Sequence, residues 1–145
     1  MGETQEICNI LAADDEDYTL ELYRDVLENR VETQGDTKRV YRLYTATRGD
    51  EALELFKRES QNSRFCVVFL DINMPSGPDG VWVAQQIREV DKDVNIVLVT
   101  GFAGLDLEEI SSKIPPLDKL LYLQKPFHIQ EILQLASALS AKWFA

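Results

Sequence analysis

The 145-residue chain suits one domain and is long enough to bury a core without disulfide or metal staples. Its 45% apolar content sets it apart from disordered chains, and no apolar run approaches the ~20 residues that span a bilayer. A formal net charge of −10 argues against direct nucleic-acid binding, and the polar, acidic residues 1–6 do not resemble a signal peptide, so a cytoplasmic protein is expected, with no membrane contact.

Along the chain, apolar runs of strand length alternate with stretches of helical period. Residues 7–13 read as a strand ending in acid; Leu20, Tyr23 and Leu27 then fall on one helical face. Residues 28–38 are polar and predict a surface extension, and the cations at Lys38, Arg39 and Arg42 are read as a solvated face. Residues 40–46, rich in β-branched and aromatic side chains, predict a second strand. Thr47 with Asp50 resembles a capping box for a helix carrying Ala52, Leu55 and Phe56.

Residues 65–70 are almost wholly apolar, as a central parallel strand buried on both faces should be. The turn-rich residues 75–80 lead into a helix with Val83, Ile87 and Val90 inward, and residues 96–99 form another buried strand. Leu107, Ile110 and Ile114 mark a weaker helix, ended by Pro115 and Pro116. Residues 120–123 predict the last strand; Ile129, Ile132, Leu133 and Ala136 predict the last helix. Cys8 and Cys66 sit in or beside apolar runs and are expected to be buried, inert thiols, because without C-x-x-C spacing they make neither a zinc site nor a disulfide framework. His128 is the single histidine, which excludes multi-histidine metal sites.

Five strands alternating with five helices imply an α/β fold with a parallel sheet, whose ligands sit beyond the carboxyl ends of the strands. At those ends stand Asp14-Asp15, Asp71, Thr100-Gly101 and Lys125-Pro126. Carboxylates gathered within a few ångströms repel, and a divalent cation would neutralise them; an all-oxygen donor set favours magnesium, with manganese as an alternative. An ammonium and a hydroxyl could hold phosphoryl oxygens while an aspartate carboxylate serves as the nucleophile.

The segments ILAADDE, VVFLDINMP, IVLVTGF and LYLQKPF, in that order, resemble the receiver domains of two-component response regulators over nearly the whole chain, with a core at about residues 7–143. The resemblance implies a flavodoxin-like, doubly wound sheet of five parallel strands in order 2-1-3-4-5 with five helices, and a single receiver domain over residues 1–145. It implies that Asp71 is the phosphoacceptor and that Asp14, Asp15, Asp71 and the Asn73 backbone carbonyl hold Mg2+. Thr100, Gly101 and Lys125 would bind the phosphoryl group, the Lys125–Pro126 bond would be cis, and Thr100 with Tyr122 would form the switch. Implied partners are a sensor histidine kinase or phosphotransfer protein and an output module, its own or a downstream protein, with homodimerisation through the face of helix 4, strand 5 and helix 5. Such a receiver is a switch that catalyses only its own phosphorylation and dephosphorylation.

Several positions depart from the commoner pattern. The loop MPSGPDG is one residue longer, PPLDKLL lengthens the approach to the last strand, and Phe102 is bulkier than usual; with Asn73 it is expected to tune the phosphoryl lifetime. His128 reads as a surface residue, and Trp143 with Phe144 as an exposed apolar end of a chain cut from a longer protein. Two other readings compete with this one. A phosphatase of the haloacid-dehalogenase type needs a second aspartate two residues after the nucleophile, where this chain has Asn73. An interaction module that takes no phosphate would not need all five site residues, which are present here.

Overall fold

In the computed structural model, which describes residues 4–75, 77–101 and 104–145, the apolar runs form strands and the stretches of helical period form helices. In chain order these are β1 (Thr4–Ala13), α1 (Asp17–Leu27), β2 (Val31–Gln34), β3 (Thr37–Ala46), α2 (Gly49–Glu59) and β4 (Phe65–Asp71). They are followed by α3 (Gly80–Val90), β5 (Asn95–Thr100), α4 (Leu107–Ser112), a 3-10 turn (Leu117–Lys119), β6 (Leu120–Gln124) and α5 (Ile129–Phe144).

The sheet has six strands in order β2-β3-β1-β4-β5-β6, which corrects the expected five. The additional strand is β2, antiparallel to β3, and it lies within the polar stretch expected to be a surface extension. Glycine is the first residue of a two-residue Gly35-Asp36 loop, at φ 60°, and this closes the hairpin with Gln34 opposite Thr37. Without β2, the remaining five strands are parallel and run in the expected doubly wound order.

Alternate strand residues feed two cores. Leu11, Val68 and Leu98 face Ala52 and Phe56 of α2 and Val83 and Ile87 of α3. Ile10, Phe69 and Val97 face Leu20, Tyr23 and Leu27 of α1 and Ile132 and Ala136 of α5. All seven residues of β4 are buried, as its unbroken apolar run requires. Arg88 is the exception inside α3: its buried guanidinium donates to the carbonyls of Asp91, Val94 and Lys119, tying the end of α3 to the entries of β5 and β6.

Other expectations need correction. Cys8 and Cys66 form a disulfide rather than two thiols. The β1–β4 register slips between Asn9 and Ile10, which turns Cys66 toward the same core as Cys8 and brings their Cα atoms to 5.9 Å. Helix α2 is capped at Arg48 with no side-chain cap bond, so Thr47 and Asp50 do not make a capping box. Val90, in the last turn of α3, is half exposed. Helix α4 stops at Ser112, short of Ile114, which is buried beyond it ahead of a cis Pro115–Pro116 bond. Arg39 is not solvated: it pairs with Glu6 at 3.0 Å and covers the Phe144 ring at 5.2 Å. Arg64 covers Trp143 at 4.8 Å, so the apolar end of α5 is packed rather than exposed. His128 is exposed, and its backbone N–H caps α5 by donating to Glu131.

Candidate functional site

The carboxyl ends of β1, β4, β5 and β6 lie on one rim, and the side chains beyond them line a cavity of about 660 Å³. Asp15, Asp71, Asn73, Thr100, Gly101 and Lys125 line it together. Buried Asp14 lies behind, with Oδ2 2.8 Å from the Lys125 ammonium. The same ammonium donates to Asp71 Oδ2 at 3.1 Å. Backbone geometry fixes both acids. Glu16 N–H donates to Asp14 Oδ1 at 2.9 Å, and Asn73 N–H to Asp71 Oδ1 at 3.1 Å. Lys125 is placed by its N–H bond to the Thr100 carbonyl at 2.8 Å, and the Lys125–Pro126 peptide is cis.

Burial, then the charge on Asp14, push the Asp71 carboxyl up to about 6, against the pull of the Lys125 ammonium and the Asn73 N–H. Burial alone would lower Lys125, but its bonds to Asp14 and Asp71 and their charges outweigh burial and raise it. Tyr23 is pushed well up by burial and then by the charges of Asp14 and Asp71, a sign that this rim is short of positive charge.

The residues fit a hard dication. Carboxylate oxygens of Asp14, Asp15 and Asp71 lie within 4.8 Å of one another. Asp14 Oδ2 is buried and, among the described residues, is met only by the Lys125 ammonium at 2.8 Å. An all-oxygen set of this size suits magnesium and leaves positions for water.

Sequence reasoning missed four residues here. Glu16 lies 3.9 Å from Lys125 and lines the cavity. Asp79 also lines it and caps α3 by accepting from Trp82 N–H at 2.9 Å; an acid directly before a helical run was the available signal. Gly80 gives no room for a side chain, since a Cβ would stand 2.2 Å from the Asp71 carbonyl oxygen, and a Cβ on Gly49 would stand 2.3 Å from the Pro78 carbonyl oxygen. These two glycines press the long β4–α3 loop against the start of α2 and the end of β4. At Gly101, by contrast, a Cβ would make an ordinary 3.7 Å contact with Lys125. Tyr122 does not line the cavity: its ring packs on the core beside α2 and α3 and its hydroxyl bonds to α4. Phe102 lies outside the described residues.

A doubly wound sheet with three carboxylates and a lysine at its switch-point rim defines an α/β module with an acidic ligand pocket at the carboxyl ends of its strands. The response regulator receiver domain model matches residues 10–137, and the chain belongs to that family. It is 28% identical over 95 residues to sporulation initiation phosphotransferase F of Bacillus subtilis (strain 168), covering 66% of this chain and 70% of that protein. It is 36% identical over 132 residues to the probable transcriptional regulator ycf27 of Guillardia theta, covering 90% of this chain but only 43% of the relative, less than half its length. The response regulator protein TrrA of Thermotoga maritima, solved in complex with Mg(2+)-BeF, superposes with a TM-score of 0.68 at 30% identity over 91% of this chain and 98% of that one.

Receiver domains are signalling switches rather than classical enzymes; they bind Mg2+ at an acidic pocket and work with histidine kinases or phosphotransfer proteins and output domains. Among the described residues, no helix is long and apolar enough to cross a membrane.

Proposed function

We propose that Asp71 accepts a phosphoryl group from the phosphohistidine of a sensor kinase or phosphotransfer protein, and that the change is passed through Thr100 and Tyr122 to an output module. The observation that carries this is the single ammonium of Lys125 held 3.1 Å from Asp71 and 2.8 Å from Asp14 on the cavity rim. Asp71 Oδ1 is held by the Asn73 N–H, and Oδ2 faces Lys125. The attacking oxygen is therefore oriented before the donor arrives. When Asp71 becomes an acyl phosphate, Lys125 is placed to follow the new negative charge, and Thr100 lines the space where a phosphoryl oxygen would sit.

Asp14, Asp15, Asp71 and the Asn73 carbonyl would hold Mg2+, or Mn2+ in its place. A bound cation would offset repulsion between the carboxylates and an incoming phosphoryl group. The net charge of −10 fits a protein partner rather than a nucleic acid, and the cytoplasm is the expected compartment. A dimer would use the face of α4, β6 and α5. There α4 and the 3-10 turn leave an apolar hollow lined by Leu107, Pro115 and Leu117.

The test is incubation of the full chain with a small acyl phosphate and Mg2+. A hydroxylamine-sensitive adduct of one phosphoryl group should form on the wild type and be absent from Asp71→Asn. A wild type that forms none would return the chain to a phosphorylation-independent interaction module.

A further inference from the structure

Helix α4 is six residues long and none of its residues is buried. Among the described residues, its attachment to the sheet rests on the partly buried Ile110, on the chain leading to buried Ile114, and on one side chain from β6. That side chain is Tyr122, whose hydroxyl lies 3.1 Å from the Leu107 carbonyl and 2.8 Å from the Ser111 hydroxyl. Leu107 and Ser111 are four residues apart, one turn, so both partners lie on the same face of α4.

Proton counting orders the pair. A phenol has one proton, and the Leu107 carbonyl can only accept, so Tyr122 donates to Leu107. The Ser111 hydroxyl must then donate to Tyr122. The phenol oxygen is thus pinned as donor and acceptor at once, in the arrangement in which the Asp71 carboxylate accepts from Lys125.

We propose that Ser111 is a positioning residue for the switch: its hydroxyl latches Tyr122 to α4 and holds the unphosphorylated arrangement. Any rotation of Tyr122 has to break both bonds and releases the first and last turns of α4 together. Because no residue of α4 is fully buried and Ile110 is only partly so, no large packing energy opposes its movement afterwards, and a single hydroxyl can bias the equilibrium. This rests on the reading of Thr100 and Tyr122 as the switch. It adds a residue, and a direction: the latch opposes phosphorylation.

The experiment uses the full chain, Mg2+ and a small acyl phosphate at limiting concentration, with Ser111→Ala, Ser111→Thr, Tyr122→Phe and the double variant Ser111→Ala/Tyr122→Phe. Loss of one neutral hydrogen bond corresponds to roughly a five-fold shift in population. Ser111→Ala should therefore form the Asp71 adduct about three to five times faster at unchanged Mg2+ affinity, and Ser111→Thr, which keeps the hydroxyl, should stay within about two-fold of wild type. Adding Ser111→Ala to Tyr122→Phe should change nothing further. A second readout needs no phosphorylation: amide exchange in α4 should quicken in Ser111→Ala and not in Ser111→Thr. A Ser111→Ala chain equal to wild type in both readouts, or an effect that persists in the Tyr122→Phe background, overturns the latch. If wild type forms no adduct, the phosphoacceptor reading fails instead, and α4 exchange alone decides the latch.

Discussion

At the scale of single residues, Asp71 is a buried acid kept charged at a cost. Its carboxyl is raised from the ordinary 3.8 to about 6 by burial and by Asp14. The unfolded chain releases this proton near pH 4, while the folded chain holds it to about 6. Between those values the folded state binds more protons, so this group's contribution to stability falls as pH rises and is flat above about 6. Asp71→Asn removes the cost. In chelator at pH 7 the variant should be more stable than wild type by on the order of 2–3 kcal/mol, with the difference vanishing below pH 4. Urea denaturation at pH 4, 5.5 and 7 reads this directly, and equal midpoints at pH 7 would contradict it. The chemically distinctive residues of the site were legible in sequence because acids, a threonine and a lysine at strand ends stand out against apolar runs. Gly80 and Gly49 were not, because a glycine's role in a close approach depends on which backbone it meets, and that backbone is remote in sequence or hidden by a turn.

At the scale of elements, the same contrast holds. The parallel strands were legible because β4 and β5, buried on both faces, read as unbroken apolar runs. Strand β2 was not, since Val-Glu-Thr-Gln at a sheet edge has no hydrophobic periodicity; what fixes it is the Gly35 turn and its docking on α5. Glu32 accepts from Tyr41 and from Ser137 of α5, and Tyr41 also meets Ser140. The packing of the end of α5 is hidden from the sequence for a related reason: the arginines covering Trp143 and Phe144 come from sequence positions about eighty and a hundred residues away. The junction of α3 with β4 is the element contact closest to the chemistry. Gly80 N–H bonds the Ile72 carbonyl at 3.0 Å, so a side chain at position 80 cannot move aside without breaking that bond or displacing Asp71. Gly80→Ala should cost about 1–3 kcal/mol, as overpacking does, and should slow adduct formation on Asp71 more than the lost stability explains. A variant destabilised but phosphorylated at the wild-type rate would show that the junction only supports the fold.

At the scale of the whole molecule, the net charge of −10 concentrates a penalty where three carboxylates meet one lysine. A dication that binds only the folded arrangement stabilises it by mass action, about 2.7 kcal/mol at a hundred times its dissociation constant. Magnesium should therefore raise the melting temperature of the wild type. It should do so far less for Asp15→Asn, whose side chain is exposed on the cavity wall and so is removable without loss of packing. The gain should also depend on pH in the sense opposite to the metal-free stability. Below about 6, Asp71 holds its proton and the cation must displace it, so the magnesium-induced shift shrinks as pH falls, while above 6 it is full. The two dependences act on the same carboxyl. With magnesium present, the loss of stability that burial imposes on Asp71 as pH rises should be offset, leaving a flatter profile than the chelated protein shows. A magnesium shift of equal size at pH 5 and pH 7.5 would mean that the cation binds elsewhere than at Asp71.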